Sequence, residues 1–418
     1  MKRETLLKFF LFGLCMIGFL APLRNYYAHL FMAFSGFFWL ITFRRDRLVQ
    51  DRLTWRTFLI FISLYLIQVA GLAYSDNLAY GIFMLDTKLS LIALPIMILL
   101  GPVNSRDVKL IMRVFMAGAL VACAWCQWDA IRRLIEFHHP VHYLLTNFFY
   151  QNQEFTQAIP VHPAYLSLAL AISTFQVAEV ELPNTKNKAL CIILIGLFTY
   201  FQLILMSRAA LVAFGPALVF YILYKTVYKQ RRIVTGIVVI SLFCTAVAVF
   251  LTVAPTFRFR MVDTMLNMGE RFRDVNDDSS TGLHAKQWHC AWNSVRGYNL
   301  IWGLGTGDEI DALTHCYQEN GYAFLAEKKL DAHNEYLSSM IRHGLIGLGL
   351  LLFNFGYSIW LGYKGRNVVY IAFIIMAAIQ AIGASILYGQ TSLIIFAFCN
   401  SIFAKATLTS LRSEKVKS

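Results

Sequence analysis

Arg208 combines a permanent charge with a place between two long apolar runs. It lies in the segment Met206–Leu211, with almost no loop between the runs. A guanidinium costs about 2.5 to 3.5 kcal/mol at the centre of a membrane helix and less near the interface, so it favours a bound anion. The alternative is an arginine that extends to the interface and marks a helix end. The first interpretation predicts a phosphate contact.

His333 precedes another apolar run, in the segment Asp331–Tyr336, and Gly344 and Gly347 follow on the same predicted helix. At 1.5 Å per residue, Gly344 is about 16 Å further along, where small residues allow close helix contact. Histidine titrates near neutral pH and can act as a general base. The alternative is a loop histidine without a task. The pattern favours a base held at the membrane rim.

Other histidines give weaker signals. His162 opens an apolar run and is followed by a proline suited to a first helical turn, so structural and functional roles are both open. His138, His139 and His142 suggest a metal, but the proline after His139 breaks the helix that would align positions four apart. We therefore predict no metal site.

A glycine-rich segment, Trp302–Asp308, precedes His333 in the chain. It follows no clear strand and opens no clear helix, so it does not fit a dinucleotide-binding fold. Exposed amides in such a loop can hold a phosphate. Gly305, Gly307 and Asp308 are the candidate contacts.

The elements that must position these residues are apolar helices. Of the residues, 58% are hydrophobic and 15% charged, and apolar runs of about 18 residues or more recur. The net charge of +13 does not indicate nucleic-acid binding, because the basic residues lie between apolar runs. The sequence predicts an all-α polytopic membrane protein with about twelve transmembrane helices. The predicted spans are 6–23, 26–43, 57–74, 89–105, 107–128, 162–180, 189–206, 209–224, 233–254, 336–361, 367–385 and 390–406.

The fourth span is a special case. It contains Pro95 and follows the amphipathic stretch Asn77–Lys88. We therefore expect a tilted, broken or partly re-entrant segment there.

Basic residues predict the orientation. Twenty-three Lys and Arg lie on one side of these spans, and five lie in the short loops on the other side. The positive-inside rule then predicts cytoplasmic termini. The predicted parts are helices 1–9 in 1–254, a large, partly helical periplasmic loop in 255–335, helices 10–12 in 336–406, and a cytoplasmic tail in 407–418.

The cysteines fall into two groups. Six of the eight lie inside predicted spans, including the C-x-x-C pair of Cys123 and Cys126, where a thiol packs as a small apolar group. Cys290 and Cys316 lie in the large loop. If that loop is extracytoplasmic, these two can form a disulfide.

The predicted topology brings Arg208, His333, His162 and the glycine-rich segment to one face of the membrane. An arginine matched to a phosphate, beside a base of near-neutral pKa, suits transfer of a sugar from a lipid diphosphate. The diphosphate is a good leaving group. It needs positive charge as the bond breaks, and no acid.

At these residues the sequence resembles the O-antigen ligase and O-antigen polymerase superfamily of bacterial inner-membrane glycosyltransferases. The ligase motif is His, then Asn, Ser or Gln, nine residues, and G-x-x-G, which His333-Asn334 and Gly344–Gly347 fit. The companion motif, Arg with Leu four residues later, is nearly met by Arg208 with Val212. Twelve spans and a large loop between spans nine and ten also resemble this family.

The resemblance implies an O-antigen ligase. Its reaction is inverting, metal-independent transfer of a glycan from undecaprenyl diphosphate to the lipid A core at the periplasmic face of the inner membrane. The implied partners are the lipid-linked glycan donor, the lipid A core acceptor and membrane lipids, with no cofactor and no nucleic acid. The implied catalytic residues are His333 and Arg208. The candidate substrate contacts are Asn334, His162, His284, Lys286, Gly305, Gly307 and Asp308.

One departure from the family pattern lies in the large loop. Relatives place a second arginine shortly before a Trp, where this chain has the segment His284–Trp288. His284 or Lys286 can substitute, or Arg271 or Arg273 can reach in. An ammonium lacks the bidentate fork of a guanidinium.

Two other functions stay open. A glycan polymerase shares the fold and the chemistry, and the His333 motif is the main feature that favours the ligase. A transporter or lipid flippase should show ionisable residues or broken helices near mid-membrane. Arg342 is the main ionisable residue that the predicted spans bury, so the sequence gives this function little support.

Overall fold

The computed structural model describes residues 3–42, 51–159, 161–253, 258–259, 279–296 and 299–417. Within these ranges every regular element is helical. Arg271 and Arg273 lie outside the described residues.

The helices before the large loop are α1 Arg3–Leu20, α2 Asn25–Thr42, α3 Arg52–Gly71, α4 Leu78–Thr87, α5 Ser90–Leu99, α6 Ser105–Glu136, α7 Tyr143–Thr146, α8 Asn152–Thr156, α9 Pro163–Gln176, α10 Leu182–Asn184, α11 Lys188–Leu205, α12 Arg208–Leu223 and α13 Ile233–Val253. Those that follow are α14 Ser280–Ser294, α15 Asn299–Trp302, α16 Glu309–Glu319, α17 Ala323–Lys328, α18 Glu335–Lys364, α19 Val368–Gln380 and α20 Gln390–Lys417.

Eight helical stretches among the described residues are long and apolar enough to cross a membrane. Each overlaps a predicted span, so a multi-pass helical membrane protein is confirmed. Helices α1, α2, α13 and α19 lie at the other four predicted spans, and the total of twelve stays a prediction. The eight stretches are Arg52–Tyr74, Leu78–Leu99, Ser105–Glu136, Pro163–Asn184, Lys188–Leu205, Arg208–Lys229, Glu335–Lys364 and Gln390–Glu414.

The fourth predicted span is interrupted, as its sequence suggested. Helix α4 ends at Thr87 and α5 begins at Ser90, with Pro95 inside α5. Lys88, in the break, is buried and donates to Gln68 Oε1 at 3.0 Å. The predicted start of this span at residue 89 was too late, because α4 itself belongs to the apolar stretch.

Helix α18 carries a kink that the sequence did not predict. His343 and Gly344 leave the helical region, with φ −138° and +59° respectively. A Cβ on Gly344 would overlap the carbonyl group of Ile301, so only glycine allows both this backbone angle and this approach. The predicted span over 336–361 lies within α18, but the regular helical rise expected between His333 and Gly344 is interrupted at the kink, where the close backbone contact is present.

The chain divides into two compact units. Unit 1 takes the described residues of Met1–Thr42, Val103–Met265 and Gly362–Ala377, and unit 2 takes those of Phe43–Pro102, Leu266–Leu361 and Ala378–Ser418. In unit 1, α1 packs against α2 and α6, and α9 packs against α6, α11 and α12. A Cβ on Gly118 of α6 would overlap the backbone of Phe19, so α1 and α6 meet closely.

Unit 2 combines deeply buried helices with the helices of the large loop. Helix α20 packs against α5 and α3, and Lys405 donates to the carbonyls of Leu99 and Gly101 at 2.9 Å each. Helices α14 and α16 are joined by a disulfide between Cys290 and Cys316, with Cα atoms 5.6 Å apart. The pairing that the sequence left open is therefore present. Around it lie the buried side chains of Leu313, Tyr317 and Ile341.

Candidate functional site

His333 lies in a tight turn directly before α18. Its backbone has a positive φ of 48°. The next residue, Asn334, caps the helix: its side-chain oxygen accepts from the backbone N–H groups of Tyr336 at 3.0 Å and Leu337 at 3.1 Å. The asparagine of the motif thus fixes the turn that presents the histidine. Its predicted contact with substrate stays a prediction.

Asp331 and His284 flank the imidazole of His333. The backbone N–H of His333 donates to Asp331 Oδ2 at 3.3 Å, and Nδ1 lies 3.9 Å from Oδ1. The ring of His284, from α14, stacks on His333 with centroids 4.6 Å apart. Burial raises the pKa of the Asp331 carboxyl, but the charge and hydrogen bonds of His333, together with a hydrogen bond from Ser385, lower it, and the net shift is downward. An ionised carboxylate therefore lies beside Nδ1.

The two candidates for the missing loop arginine have different surroundings. His284 lies against His333, whereas Lys286 is 7% exposed and its Nζ lies 5.5 Å above the ring of Tyr322. Gln287, on the same helix, donates to the backbone oxygen of Asp331 at 2.9 Å. Helix α14 thus brings His284 against the His333 imidazole.

The glycine-rich segment packs closely against its neighbours. The amides of residues 304–307 donate to protein oxygens at 2.7 to 3.4 Å. Gly305 has φ +116°, and a Cβ on Gly307 would overlap the carbonyl of Asn77. These amides already have protein acceptors, so they give no support to a phosphate cradle, and that assignment stays a prediction. The acceptors are Ile341, Arg342, Gly71 and the Ser75 hydroxyl.

Asp308 clamps the turn between α3 and α4. Its carboxylate accepts from the Ser75 hydroxyl at 2.8 Å and from the amides of Asp76 at 3.0 Å and Asn77 at 2.7 Å. Asn77 also donates to Asp311 at 2.7 Å. The predicted substrate contact at Asp308 is untested, and its geometry gives it a structural task.

A buried ion network lies under the His333 turn. Arg342 donates from NH2 to Glu335 Oε1 at 2.7 Å, and its Nε lies 3.2 Å from Glu309 Oε2. All three side chains are at most 2% exposed. Ser338 donates to the other oxygen of Glu309 at 2.5 Å. Burial raises the pKa of Glu309 above its ordinary value, an effect that Arg342 opposes.

Glu335 anchors the start of α18. In addition to its contact with Arg342, the Glu335 carboxylate accepts from the backbone amide of Leu387 at 2.8 Å. The backbone amide of Glu335 donates to the carbonyl of Ala381 at 2.9 Å. Sequence reasoning identified Arg342 as a buried cation but missed these partners. A charged residue within an apolar run indicates a buried ion, but the local sequence does not show which residues are its counterions.

Arg208 begins α12 in unit 1. Helix α11 ends at Leu205, Met206 takes a left-handed conformation with φ +46°, and the Ser207 hydroxyl accepts from the amide of Ala210 at 3.5 Å. The predicted near-absence of a loop is therefore confirmed. Arg208 is half-buried. The N-terminus of a helix favours a negative charge, so an anion here would be stabilised by the helix as well as by the guanidinium.

His162 has a structural task at the start of α9. Its Nδ1 accepts from the amide of Ala164 at 3.3 Å, which makes it the N-cap before a proline in the first turn. Its Nε2 lies 3.5 Å from the side-chain amide of Gln153. On the same short helix, Asn152 donates to the Leu205 carbonyl at 2.8 Å. Helix α8 thus contacts both His162 and the turn before Arg208.

The described part of the chain contains no group of three His, Cys, Asp or Glu side chains arranged to hold a metal. Of the three clustered histidines, His139 pairs through Nδ1 with the Tyr150 hydroxyl at 2.7 Å. This contact explains its place without a ligand.

Fold and site together define a multi-pass helical membrane protein with a histidine presented at the start of an apolar helix. Residues 191–352 match the family model described as O-antigen ligase. This match supports the O-antigen ligase superfamily that the motifs predicted, and the matched residues include Arg208, His333 and Gly347. The matched family implies an enzyme of glycosyltransferase type in general. Among curated proteins, none matches the chain.

Proposed function

We propose that this protein is an O-antigen ligase that transfers a glycan from undecaprenyl diphosphate to the lipid A core, with inversion at the anomeric carbon. The observation that carries the proposal is the presentation of His333. Asn334 caps the helix behind it, Asp331 lies beside Nδ1, and His284 stacks on the ring. The match of residues 191–352 to the O-antigen ligase family model supports the class of reaction.

His333 acts as the general base in this mechanism. Asp331 Oδ1 lies 3.9 Å from Nδ1 and its charge stabilises the imidazolium, which leaves Nε2 for the acceptor hydroxyl. The hydroxyl oxygen attacks the anomeric carbon opposite the diphosphate, and its proton passes to His333. The bond from the anomeric carbon to the diphosphate oxygen breaks, and undecaprenyl diphosphate leaves with the electron pair.

Arg208 binds the diphosphate. Its guanidinium offers a bidentate fork, and the N-terminus of α12 adds a partial positive charge. Both stabilise charge that grows on the leaving group. A diphosphate leaving group needs no protonation, and the lipid-linked donor takes the place of a nucleotide sugar. We therefore propose a reaction without metal or cofactor. Transfer should survive exhaustive chelation with EDTA, and loss restored by a divalent cation would refute that part.

We place the reaction at the periplasmic face of the inner membrane. Two observations support this orientation: the twenty-three to five split of basic residues, and the disulfide between Cys290 and Cys316. Disulfides are typical of oxidising compartments such as the periplasm. The termini and the tail after residue 406 are then cytoplasmic.

Deletion of the gene in the native host tests the reaction. A ligase deletion should leave lipid A core without polymer, while long polymer accumulates on the carrier lipid. Single repeat units on the core would instead indicate a polymerase, and an unchanged lipopolysaccharide would refute both.

Purified protein tests the role of His333. With lipid-linked donor and lipid A core acceptor, His333→Ala should lower the transfer rate about 10²- to 10⁴-fold, the usual share of general base catalysis. His315→Ala is the matched control, because His315 is an exposed histidine of helix α16 whose side chain is 74% accessible. Near-normal turnover of His333→Ala, at normal protein level, would remove His333 from the mechanism.

A further inference from the structure

Unit 1 contains a surface cleft that none of the roles above uses. It has a volume of about 480 Å³ and lies at the C-terminal end of α6. We call it the α6 cleft. Its polar side is formed by Asp129, Arg132, Arg133 and Glu136, and its apolar side by Phe137 and Phe149.

The α6 cleft lies beyond the apolar part of its helix. No charged residue occurs between Arg113 and Asp129, and Trp125 and Trp128 near the end of this run are 58% and 66% exposed. Exposed tryptophans mark the interface between lipid and water. Helix α6, with 32 residues, is about 48 Å long and exceeds a hydrocarbon core of about 30 Å. The cleft residues therefore face water.

Arg133 forms a rigid wall of the cleft. It is 5% exposed, and its guanidinium donates to Asp129 Oδ2 at 3.0 Å and to the backbone oxygens of Phe149 at 2.7 Å and Glu154 at 2.8 Å. These contacts join the end of α6 to the segment around α8. The guanidinium is committed to the protein, so Arg133 shapes the cleft and does not serve as a phosphate ligand.

Two aromatic rings lie open in the cleft although they are past the interface. Phe137 is 50% exposed and Phe149 is 38% exposed, with ring centroids 5.5 Å apart and planes at 77°. Phe149 is fixed by Arg133, whose guanidinium carbon lies 5.1 Å from its ring centre. Apolar faces that are held open to water among charged groups are typical of ligand sites.

The charges in the cleft are balanced. Arg132 joins Asp129 at 3.0 Å and Glu136 at 3.2 Å, so two arginines face two carboxylates. A balanced set attracts neither a diphosphate nor a metal ion strongly. It offers hydrogen-bond donors and acceptors to a neutral ligand that carries many hydroxyl groups. A sugar ring fits both sides, because its C–H face packs on aromatic rings and its hydroxyls bind carboxylates and guanidinium groups.

We propose that the α6 cleft binds an uncharged sugar unit of the glycan. The proposal rests on the proposed function for the choice of ligand, since the periplasmic glycan is the sugar that such an enzyme meets. It adds a binding site for the polymer itself, separate from the residues assigned to the diphosphate and to the proton.

Binding without catalysis tests the site. Protein in lipid nanodiscs, carrying His333→Ala so that no transfer occurs, is titrated calorimetrically with free O-antigen oligosaccharide released by mild acid from the host lipopolysaccharide. Phe137→Ala should weaken binding about three- to tenfold, and Glu136→Gln about tenfold. Phe137→Trp keeps an aromatic face and should bind at least as tightly. Ile135→Ala is the matched control, because Ile135 is 65% exposed on the same turn and does not line the cleft.

The variants separate a sugar site from an unspecific surface. Weaker binding in Phe137→Ala and Glu136→Gln, with Ile135→Ala unchanged, supports the site. Absence of millimolar binding by the parent protein, equal binding by all variants, or displacement by inorganic phosphate would overturn it. Because transfer is not measured, failure of the proposed reaction would leave this titration intact, and failure of the titration would leave the reaction untouched.

Discussion

Replacing Arg342 with methionine should destabilise unit 2 strongly. Arg342 is 1% exposed and lies between Glu335 and Glu309, which are 1% and 2% exposed. The substitution leaves two buried carboxylates without their shared guanidinium. Removing one partner of a buried pair typically costs about 3 to 5 kcal/mol. The arrangement here lies toward the upper end, because one cation serves two anions.

The loss should be reversible by removing the carboxylates as well. In the triple variant Arg342→Met, Glu309→Gln, Glu335→Gln no buried charge is stranded at these three positions. The amide oxygen introduced by Glu335→Gln can still accept from the amide of Leu387. We expect this variant to regain most of the lost stability, since apolar or neutral replacement of a whole buried network is often nearly neutral. Its activity can still differ, because Glu335 also fixes the turn that presents His333.

Two measurements check this prediction. Unfolding of the detergent-solubilised protein by heat or denaturant gives the stability order, and transfer with purified donor and acceptor gives the rate. Arg412→Met is the matched control: Arg412 pairs with Asp51 at 3.5 Å, but their side chains are 39% and 31% exposed, so the loss should not exceed about 1 kcal/mol. Equal stability of the Arg342 and Arg412 variants would refute the reasoning, as would a triple variant no more stable than Arg342→Met alone.

Four further outcomes are expected. Arg208→Lys should transfer glycan nearly as poorly as Arg208→Ala, because an ammonium lacks the bidentate fork; full activity at normal protein level would reduce this residue to a helix-end anchor. The pKa of Asp331 is lowered in the fold, so its contribution is present above the unfolded value and lost as pH falls through the folded one; Asp331→Asn should flatten the acid limb of a stability profile below about pH 4, and an unchanged limb would contradict this. Reporter fusions after Lys229 and Lys364 should be cytoplasmic, and fusions in the 255–335 loop should be periplasmic; the reverse result would contradict the proposed orientation. Cys316→Ser should lower the stability of the loop helices by about 3 kcal/mol, measured by protease resistance of the loop, and unaltered resistance would contradict a structural disulfide.

The sequence by itself determined where the helices run. The cost of placing a side chain in lipid belongs to each residue, so a long apolar run predicts a helix without knowledge of its neighbours. Local rules also predicted the short turn before Arg208 and the helix that starts after His162. The motif from His333 to Gly347 predicted the superfamily that residues 191–352 match.

Only the tertiary structure decided what these residues contact. The stacking of His284 on His333 joins positions 49 residues apart in the numbering, and Arg342 pairs with a carboxylate 33 residues earlier. At the Gly344 kink, the backbone of Ile301 approaches so closely that a side chain there would overlap it. Hydropathy and spacing describe one segment at a time, whereas each of these features depends on which second segment lies against it. The partners of a buried charge, and the acceptors of a glycine-rich loop, are therefore fixed by packing and not by the local pattern.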